Sequence, residues 1–340
     1  RVELFKQFNN LSQGVKFLVD MRAEIISMIP ETQELRALND DLWELLTSWF
    51  DIGFLNLQRI TWDAPAALLE KLMAYEAVHE IRSWDDLKNR LDSDRRCFAF
   101  FHPSMPDEPL IFVEVALVSG MADNVQELLD LHALEGDPGK ADTAIFYSIS
   151  NAQAGLAQVS FGDFLIKRVV DELRSDLPNL RTFATLSPVP GFRRWLDKFL
   201  AETDVAPWAL IQDGLLAEVA GVGSGREALQ NLLARDNWHR DEAAVAALRP
   251  VLEPLVARYL LKEKKGQWAL DPVENFHLSN GARLERINWL GDTSRNGLDS
   301  AAGLMVNYLY KLSDIEQNHE DYRGLGKITV AAQVRKALKR

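Results

Sequence analysis

The sequence predicts a mixed α+β protein in which an N-terminal all-α domain precedes an α/β domain. Three observations lead to this prediction. Apolar residues recur at helical spacing through the first ninety residues, the composition changes near residue 95, and short apolar runs then alternate with amphipathic segments. We place the first domain at residues 1–92 and the second at residues 93–340.

Helical spacing dominates the first domain. Apolar residues lie three and four positions apart within residues 11–26, 42–50 and 68–73. Pro30 ends one predicted helix, and Asp63-Ala-Pro65 is typical of the cap and first turn of another. We therefore expect a bundle of four or more helices here.

The second domain is predicted from alternating strand and helix patterns. Strands are expected where runs are short, apolar and rich in β-branched residues, and helices where apolar residues follow a period of 3.6. The predicted strands are residues 110–118, 144–149, 181–186 and 284–290. The predicted helical segments are residues 163–174, 203–264 and 300–312.

Composition excludes several classes of protein. The 340 residues include 38 Lys+Arg and 50 Asp+Glu, so the net charge of −12 argues against a nucleic-acid-binding surface. Hydrophobic residues make up 47% of the chain, which is typical of a folded protein. The single cysteine, Cys97, excludes an intramolecular disulfide framework and a cysteine-cluster zinc site. No two of the six histidines have metal-ligand spacing, so we expect no metal site.

The sequence also bears on location. No stretch approaches the 18–20 or so apolar residues that a membrane span requires. The first ten residues mix charges and amides and lack the apolar core of a signal peptide. A single thiol suits a reducing compartment. We expect a soluble, cytoplasmic protein.

A loop at residues 151–163 is a candidate anion site, because it leaves a predicted strand and enters a predicted helix. Gly155 and Gly162 permit tight turns, and free N–H groups at a helix start bind phosphate or pyrophosphate. Asp163 would cap the helix and would not favour phosphate. No Walker-type Gly-Lys-Ser/Thr is present, so an ordinary loop remains the alternative.

Two further segments place single reactive side chains near strands. Ser187 directly follows a predicted strand, and Pro188 with Pro190-Gly191 stiffens the turn, so its hydroxyl can be aimed at a ligand. A capping serine is the alternative. His277 lies among Asn and Ser residues before a predicted strand and can pass a proton near neutral pH, unless its role is structural.

Asn307, Tyr308 and Tyr310 form an aromatic and amide cluster within the predicted helix at residues 300–312. On a helix the two tyrosines would lie about 200° apart, so only one could face a given site. Core packing is the default expectation for both.

Taken together, many segments resemble the malonyl-CoA decarboxylase family. They include Ser-Pro-Val-Pro-Gly-Phe at residues 187–192 and Asn-Phe-His-Leu-Ser-Asn-Gly-Ala at residues 275–282. The other matching segments are residues 53–57, 59–62, 75–79, 95–98, 144–150, 164–170, 286–289, 303–305 and 307–308. The resemblance runs from about residue 50 to residue 312.

The resemblance implies an N-terminal helical bundle that mediates contacts in a homo-oligomer, a dimer or a tetramer. It implies a catalytic, acyl-CoA-binding domain similar to the GCN5-related N-acetyltransferase fold. The family's catalytic serine falls on Ser187 and its catalytic histidine on His277. Its acyl-CoA loop falls on Ala157, Gln158, Val159, Ser160, Phe161, Gly162 and Asp163. Gln158 replaces a glycine of the animal pattern and Ser160 an acid, so we expect phosphate contacts that differ in detail.

The implied reaction converts malonyl-CoA to acetyl-CoA and CO2 through a thioester enolate. The thioester carbonyl accepts the electrons, so we expect no metal or other cofactor, with coenzyme A as part of the substrate. By resemblance His277 is the proton donor and Ser187 the proton acceptor on the carboxylate side. We suggest that Ser187 instead orients the carboxylate, because an unassisted serine is a poor base. Asn280, Asn307 and Tyr310 are candidate supporting or carboxylate contacts.

Two other functions remain open from the sequence. The first is an acyl-CoA-dependent N-acyltransferase that uses the same cleft, and the second is a non-catalytic malonyl-CoA-binding protein whose helical domain binds a partner. For any of the three, a chain of charge −12 needs local cations near the coenzyme's phosphates. Lys167 and Arg168 follow the predicted loop, and Arg193 and Arg194 follow the serine motif.

Overall fold

The computed structural model describes residues 1–50, 52–159, 165–202, 213–222 and 225–338. The chain forms two compact units, Arg1–Ser119 with Leu131–Arg181 and Gly120–Asp130 with Thr182–Arg340. Both helices and strands are present, so the predicted mixed class with N-terminal helices is confirmed. The division into residues 1–92 and 93–340 stays a prediction.

Helices open the first unit, as predicted. They are α1 (Val2–Gln7), α2 (Gly14–Met28), α3 (Arg36–Trp49), α4 (Ala66–Tyr75) and α5 (Trp84–Arg90), followed later by α7 (Leu165–Asp176). The apolar stripes of α1, α2 and α3 meet in a core that includes Leu18, Ile25, Leu42 and Leu45. The apolar residues at three- and four-residue spacing therefore form the buried face of these helices.

The prediction that residues 1–92 are all helical is wrong at one point, because β1 (Asn56–Ile60) is a strand. It lies at the edge of an antiparallel sheet in the order β1, β2 (Arg95–His102), β3 (Met105–Val118), β4 (Thr143–Asn151). Only Ile60 of β1 is buried, so the strand lacks the apolar alternation that would have revealed it. The strands predicted at residues 110–118 and 144–149 are confirmed within β3 and β4.

The second unit is built around a small sheet with a central strand, β10 (Met305–Leu309). Met305 pairs with both Pro188 of β6 (Ser187–Pro188) and Asn288 of β9 (Arg283–Asn288), so β10 lies between them. Near its other end β10 pairs with β5 (Thr182–Thr185). A separate hairpin joins β7 (Lys264–Lys265) to β8 (Trp268–Ala269). The strands predicted at residues 181–186 and 284–290 are thus confirmed as β5 and β9.

Helices surround these strands in sequence. They are α6 (Val125–Leu128), α8 (Phe192–Glu202), α9 (Asp213–Ala220), α10 (Gly225–Ala234), α11 (Glu242–Lys262), α12 (Pro272–Ser279), α13 (Arg295–Ala301), α14 (Ile315–Leu325) and α15 (Ala332–Ala337). The helical prediction for residues 203–264 is confirmed from α9 to α11, while residues 203–212 lie outside the described part of the chain.

The helix predicted at residues 300–312 is wrong. Helix α13 stops at Ala301, because Ala302 and Gly303 both take left-handed backbone angles, with φ of 51° and 76°. The chain then continues as strand β10, in which Val306 and Tyr308 are completely buried. The run of small residues that suggested helix packing instead ends the helix.

Within the described ranges, no helix combines the length and apolar character that crossing a bilayer requires.

Candidate active site

Ser187 and His277 come together in the second unit. Ser187 begins β6 and pairs with Val306 of β10, and His277 lies in the last turn of α12. The Oγ of Ser187 is 3.0 Å from Nε2 of His277. Only 5% of Ser187 and 3% of His277 are exposed, so this hydrogen bond lies out of bulk water. Two side chains that are 90 positions apart in the sequence thus form one buried pair.

Local sequence fixes the position of α12 at both ends. Asp271 caps its start, because one carboxylate oxygen accepts from the N–H groups of Val273 and Glu274. Gly281 follows its end with φ of +81°, and a Cβ there would lie 2.2 Å from the Ile315 carbonyl oxygen. Only glycine fits both the angle and the close approach. The Asn-Gly-Ala segment therefore serves to place His277.

Ser187 and His277 belong to a longer series of hydrogen bonds. Ser187 Oγ donates to Thr185 Oγ1 over 2.8 Å, and the N–H of Tyr308 donates to the same oxygen over 3.1 Å. At the other end, the Tyr310 hydroxyl is 2.8 Å from Nδ1 of His277. We call the side chains of Thr185, Ser187, His277 and Tyr310 the hydroxyl–imidazole series.

Burial sets the protonation states in this series. Burial lowers the pKa of His277 from 6.5 to about 3, so the imidazole is neutral near pH 7. Burial likewise raises the pKa of Tyr310 far above its ordinary value, so the phenol keeps its proton. The site therefore contains a neutral imidazole between two neutral hydroxyl groups. Each of these groups can donate or accept a hydrogen bond, and none carries a permanent charge.

The two tyrosines occupy positions that a helix would not allow. Tyr308 lies in β10 and Tyr310 directly follows its end, so the two side chains, two positions apart, point to the same face. The Tyr308 ring stacks on His277 with centroids 4.6 Å apart, while Tyr310 reaches Nδ1 with its hydroxyl. The prediction that only one tyrosine could face the site is therefore wrong.

The other two predicted supporting residues act through their neighbours. Asn307 donates from Nδ2 to the Thr185 carbonyl over 2.7 Å and accepts at Oδ1 from Arg286 and Asn288. Asn280 donates to the Phe276 carbonyl at the end of α12. Asn307 thus holds the segment before Ser187, and Asn280 holds the helix of His277.

Sequence reasoning missed Thr185, which is completely buried. A signal was available, since Thr185 and Ser187 are two residues apart next to a predicted strand, and such residues share a face. Tyr308 was expected only to pack in the core, yet it also contacts His277.

The predicted acyl-CoA loop belongs to the first unit, and Ala157, Gln158 and Val159 are described there. Buried Arg22 of α2 donates from Nη1 to the carbonyls of Gly155 and Ala157, over 2.6 and 2.9 Å. Trp43 of α3 donates to the Gln158 carbonyl over 3.1 Å. The remaining loop residues, Ser160, Phe161, Gly162 and Asp163, lie outside the described residues. The N-terminal helices therefore hold the start of this loop.

Of the predicted phosphate-binding cations, Arg168 has an internal role. It donates to the Leu55 carbonyl over 2.9 Å and packs over the Phe100 ring. Among the described residues, no group of three or more His, Cys, Asp or Glu side chains is placed to hold a metal ion.

A histidine buried between a serine and a tyrosine is an arrangement typical of enzymes that use general acid–base catalysis. Comparison with known proteins specifies the family. The family model for the malonyl-CoA decarboxylase C-terminal domain matches residues 53–340, and that for the N-terminal domain matches residues 1–50. The chain belongs to the malonyl-CoA decarboxylase family.

Individual relatives agree with the family models. Mitochondrial malonyl-CoA decarboxylases from Anser anser anser and Rattus norvegicus are 42% and 40% identical, each over 97% of this chain and 68% and 69% of their own lengths. The crystal structure of malonyl-CoA decarboxylase from Rhodopseudomonas palustris is 47% identical, with a TM-score of 0.90, over 98% of this chain and 79% of that one. That from Agrobacterium vitis is 44% identical, with a TM-score of 0.89, over 100% and 80%.

Proposed function

We propose that this protein decarboxylates malonyl-CoA to acetyl-CoA and CO2 at the Ser187–His277 pair. The observation that carries the proposal is the 3.0 Å contact between the Ser187 hydroxyl and a buried, neutral imidazole. Membership of the malonyl-CoA decarboxylase family supports this substrate.

The chemistry needs an electron sink and a proton. When the bond to the carboxylate carbon breaks, its electron pair moves into the thioester carbonyl, CO2 leaves and an enolate forms. The thioester itself is the sink, so we propose that no metal or other cofactor takes part and that coenzyme A enters only as part of the substrate. The enolate carbon then takes a proton. One proton from solvent is consumed per turnover, because a carboxylate leaves as neutral CO2.

We assign the proton donor to Nε2 of His277. A neutral imidazole can act as an electrophile or acid in a water-excluded site. A positioned acid typically contributes about 10²–10⁴ in rate. The Tyr310 hydroxyl supports this role, since it can stabilise the negative charge that develops on the ring. Ser187 is assigned to binding and orienting the departing carboxylate, and Asn280 and Asn307 to holding the two segments in place.

The test is to incubate the protein with malonyl-CoA alone and to follow acetyl-CoA and CO2 together. Equal amounts of the two products are expected without any acceptor. An N-acyltransferase would require an amine, and a non-catalytic sensor would bind malonyl-CoA without turnover. The cofactor proposal predicts the same rate after dialysis against EDTA. Near-normal turnover by His277→Ala would show that the site is assigned wrongly.

We also propose that residues 157–163 bind the coenzyme. Support comes from the anchoring of the loop's first residues by Arg22 and Trp43, which gives them a fixed backbone in the first unit. The following helix, α7, begins at Leu165, and backbone N–H groups at the start of a helix suit a phosphate.

A homo-oligomer, a dimer or a tetramer, formed through the N-terminal helices is a further proposal. Support comes from large apolar side chains that remain exposed in and next to α2, with Leu11 60% and Phe17 53% accessible. Light scattering coupled to gel filtration should give a multimer for the wild type and a smaller species for Leu11→Glu/Phe17→Glu.

The cellular compartment stays a prediction. A single, buried cysteine suits the reducing cytoplasm, whereas the curated relatives cited above are named as mitochondrial.

A further inference from the structure

We propose that Thr185 is a positioning residue that fixes which nitrogen of His277 carries the proton. This inference rests on the proposed function, in which Nε2 is the proton donor. It starts from the direction of the hydrogen bonds around Thr185, since a hydrogen-bonded series can carry its protons in only one direction at a time.

The Thr185 hydroxyl oxygen receives two protons. Ser187 donates from Oγ over 2.8 Å, and the N–H of Tyr308 donates over 3.1 Å. The Tyr308 N–H is a backbone group that can only donate, so it permanently occupies one lone pair of this oxygen. Because Thr185 is completely buried, water does not compete for these positions. The geometry of the 2.8 Å contact makes Ser187 the donor and Thr185 the acceptor.

The protonation of the ring follows from this direction. Ser187 has one proton, and it points to Thr185, so the 3.0 Å contact with His277 requires a proton on Nε2. A neutral imidazole carries one N–H, so Nδ1 is then an acceptor. Nδ1 accepts from the Tyr310 hydroxyl, which lies 2.8 Å away. The series is thus ordered from Tyr310 through His277 and Ser187 to Thr185.

The order of the hydrogen bonds determines where the proton of the His277 ring lies. With this order, the proton needed by the enolate carbon is already on Nε2, at the edge of the ring that faces Ser187. Without the Thr185 oxygen, the Ser187 proton would turn to the ring and Nε2 would become an acceptor. The ring proton would then lie on Nδ1, next to Tyr310, and the donor would be lost. A wrong tautomer of a catalytic histidine costs about 10⁴ in rate in the serine protease triad.

The experiment compares Thr185→Val, which removes the oxygen at nearly the same volume, with Thr185→Ser, which retains it. Protein labelled with ¹⁵N-histidine reports the tautomer, because protonated and unprotonated ring nitrogens have well-separated shifts. The chain has six histidines, and the spectrum of His277→Gln identifies the signals of His277. The other five report whether each variant is folded. Thr182→Val makes the same chemical change three residues earlier on β5 and serves as the matched control.

We expect protonated Nε2 in the wild type, in Thr185→Ser and in Thr182→Val, and protonated Nδ1 in Thr185→Val. We expect kcat for malonyl-CoA to fall at least about 10²-fold in Thr185→Val with little change in KM, and Thr185→Ser to restore most of it. Protonated Nδ1 in the wild type, an unchanged tautomer in folded Thr185→Val, or a changed tautomer with normal kcat would each overturn the proposal. If the wild type does not turn over malonyl-CoA, the proposed function fails, while the spectra still decide whether Thr185 sets the tautomer.

Discussion

The ring of Tyr308 lies against the imidazole of His277, with centroids 4.6 Å apart and ring planes inclined by 24°. Tyr310, two residues further along the same extended segment, bonds Nδ1 of that imidazole through its hydroxyl. One tyrosine therefore holds the face of the ring and the other holds one of its nitrogens. Nε2, the nitrogen that we assign as the proton donor, is thereby held facing Ser187.

The Tyr310 hydroxyl can be tested by Tyr310→Phe. We expect kcat for malonyl-CoA to fall about 10²-fold, because a donor to a site of developing negative charge typically contributes 10²–10³ in rate. KM should change little, since the hydroxyl bonds the ring and not the substrate in our proposal. Steady-state kinetics with malonyl-CoA measures both constants.

Tyr147→Phe is the control for this change. It removes an equally buried hydroxyl, from the first unit, that has no hydrogen-bond partner among the described residues. Normal kcat in Tyr310→Phe would mean that the Nδ1 contact has no part in the reaction.

Ser187 and His277 should behave as one unit. We expect Ser187→Ala and His277→Gln each to lower kcat by about 10²-fold or more, and the double variant to be about as slow as the slower single variant. When two groups act in the same step, removing either one removes the effect of both, so the two reductions in rate do not multiply. Single-turnover rates of acetyl-CoA formation for the three variants give the comparison. Losses that multiply would indicate that the two side chains act independently, despite their 3.0 Å separation.

Sequence reasoning reached Ser187 and His277 through the family resemblance, because spacing alone left each open to a structural role. Four strands of the α/β part, β3, β4, β5 and β9, were predicted from short apolar runs, a signal that buried strands carry strongly. β1 was missed since its side chains are largely exposed, and β10 was read as helix because small residues precede it. The spacing of Thr185 and Ser187 shows that they share a face, but the contact of Thr185 with Tyr308 joins residues 123 positions apart and has no local signal.

Arg22 should affect coenzyme binding and not the chemical step. Arg22 is 2% exposed, and its guanidinium donates to the carbonyls of Gly155 and Ala157 at the start of the proposed coenzyme loop. We expect Arg22→Met to raise KM for malonyl-CoA several-fold with kcat nearly unchanged, because loop order contributes to binding but not to proton transfer. Steady-state kinetics separates the two constants.

Arg36→Met, which removes an exposed arginine at the start of α3, is the control for loss of charge. A large fall in kcat with unchanged KM for Arg22→Met would contradict the proposed role of the loop.

Glu114 of β3 should make the first unit less stable as pH rises. It is completely buried, and burial raises the pKa of its carboxyl from 4.5 to about 7, against the lowering effect of Arg90, whose guanidinium is 3.0 Å away. Glu76 raises the pKa of Glu114 further, and so does Asp86. The folded protein thus keeps a proton that the unfolded chain releases between about pH 4.5 and 7. The stabilisation is complete below about pH 4.5 and is lost as pH rises through 7.

Glu114→Gln removes this titration while keeping a similar shape, and urea unfolding from pH 4 to pH 8 measures the effect. The free energy of unfolding of the wild type should fall relative to that of Glu114→Gln by on the order of 3 kcal/mol across this range. Exposed Glu70→Gln on α4 is the control and should give a difference that stays constant with pH. A constant difference for Glu114→Gln as well would show that Glu114 is ionised throughout, held by Arg90 and not by burial.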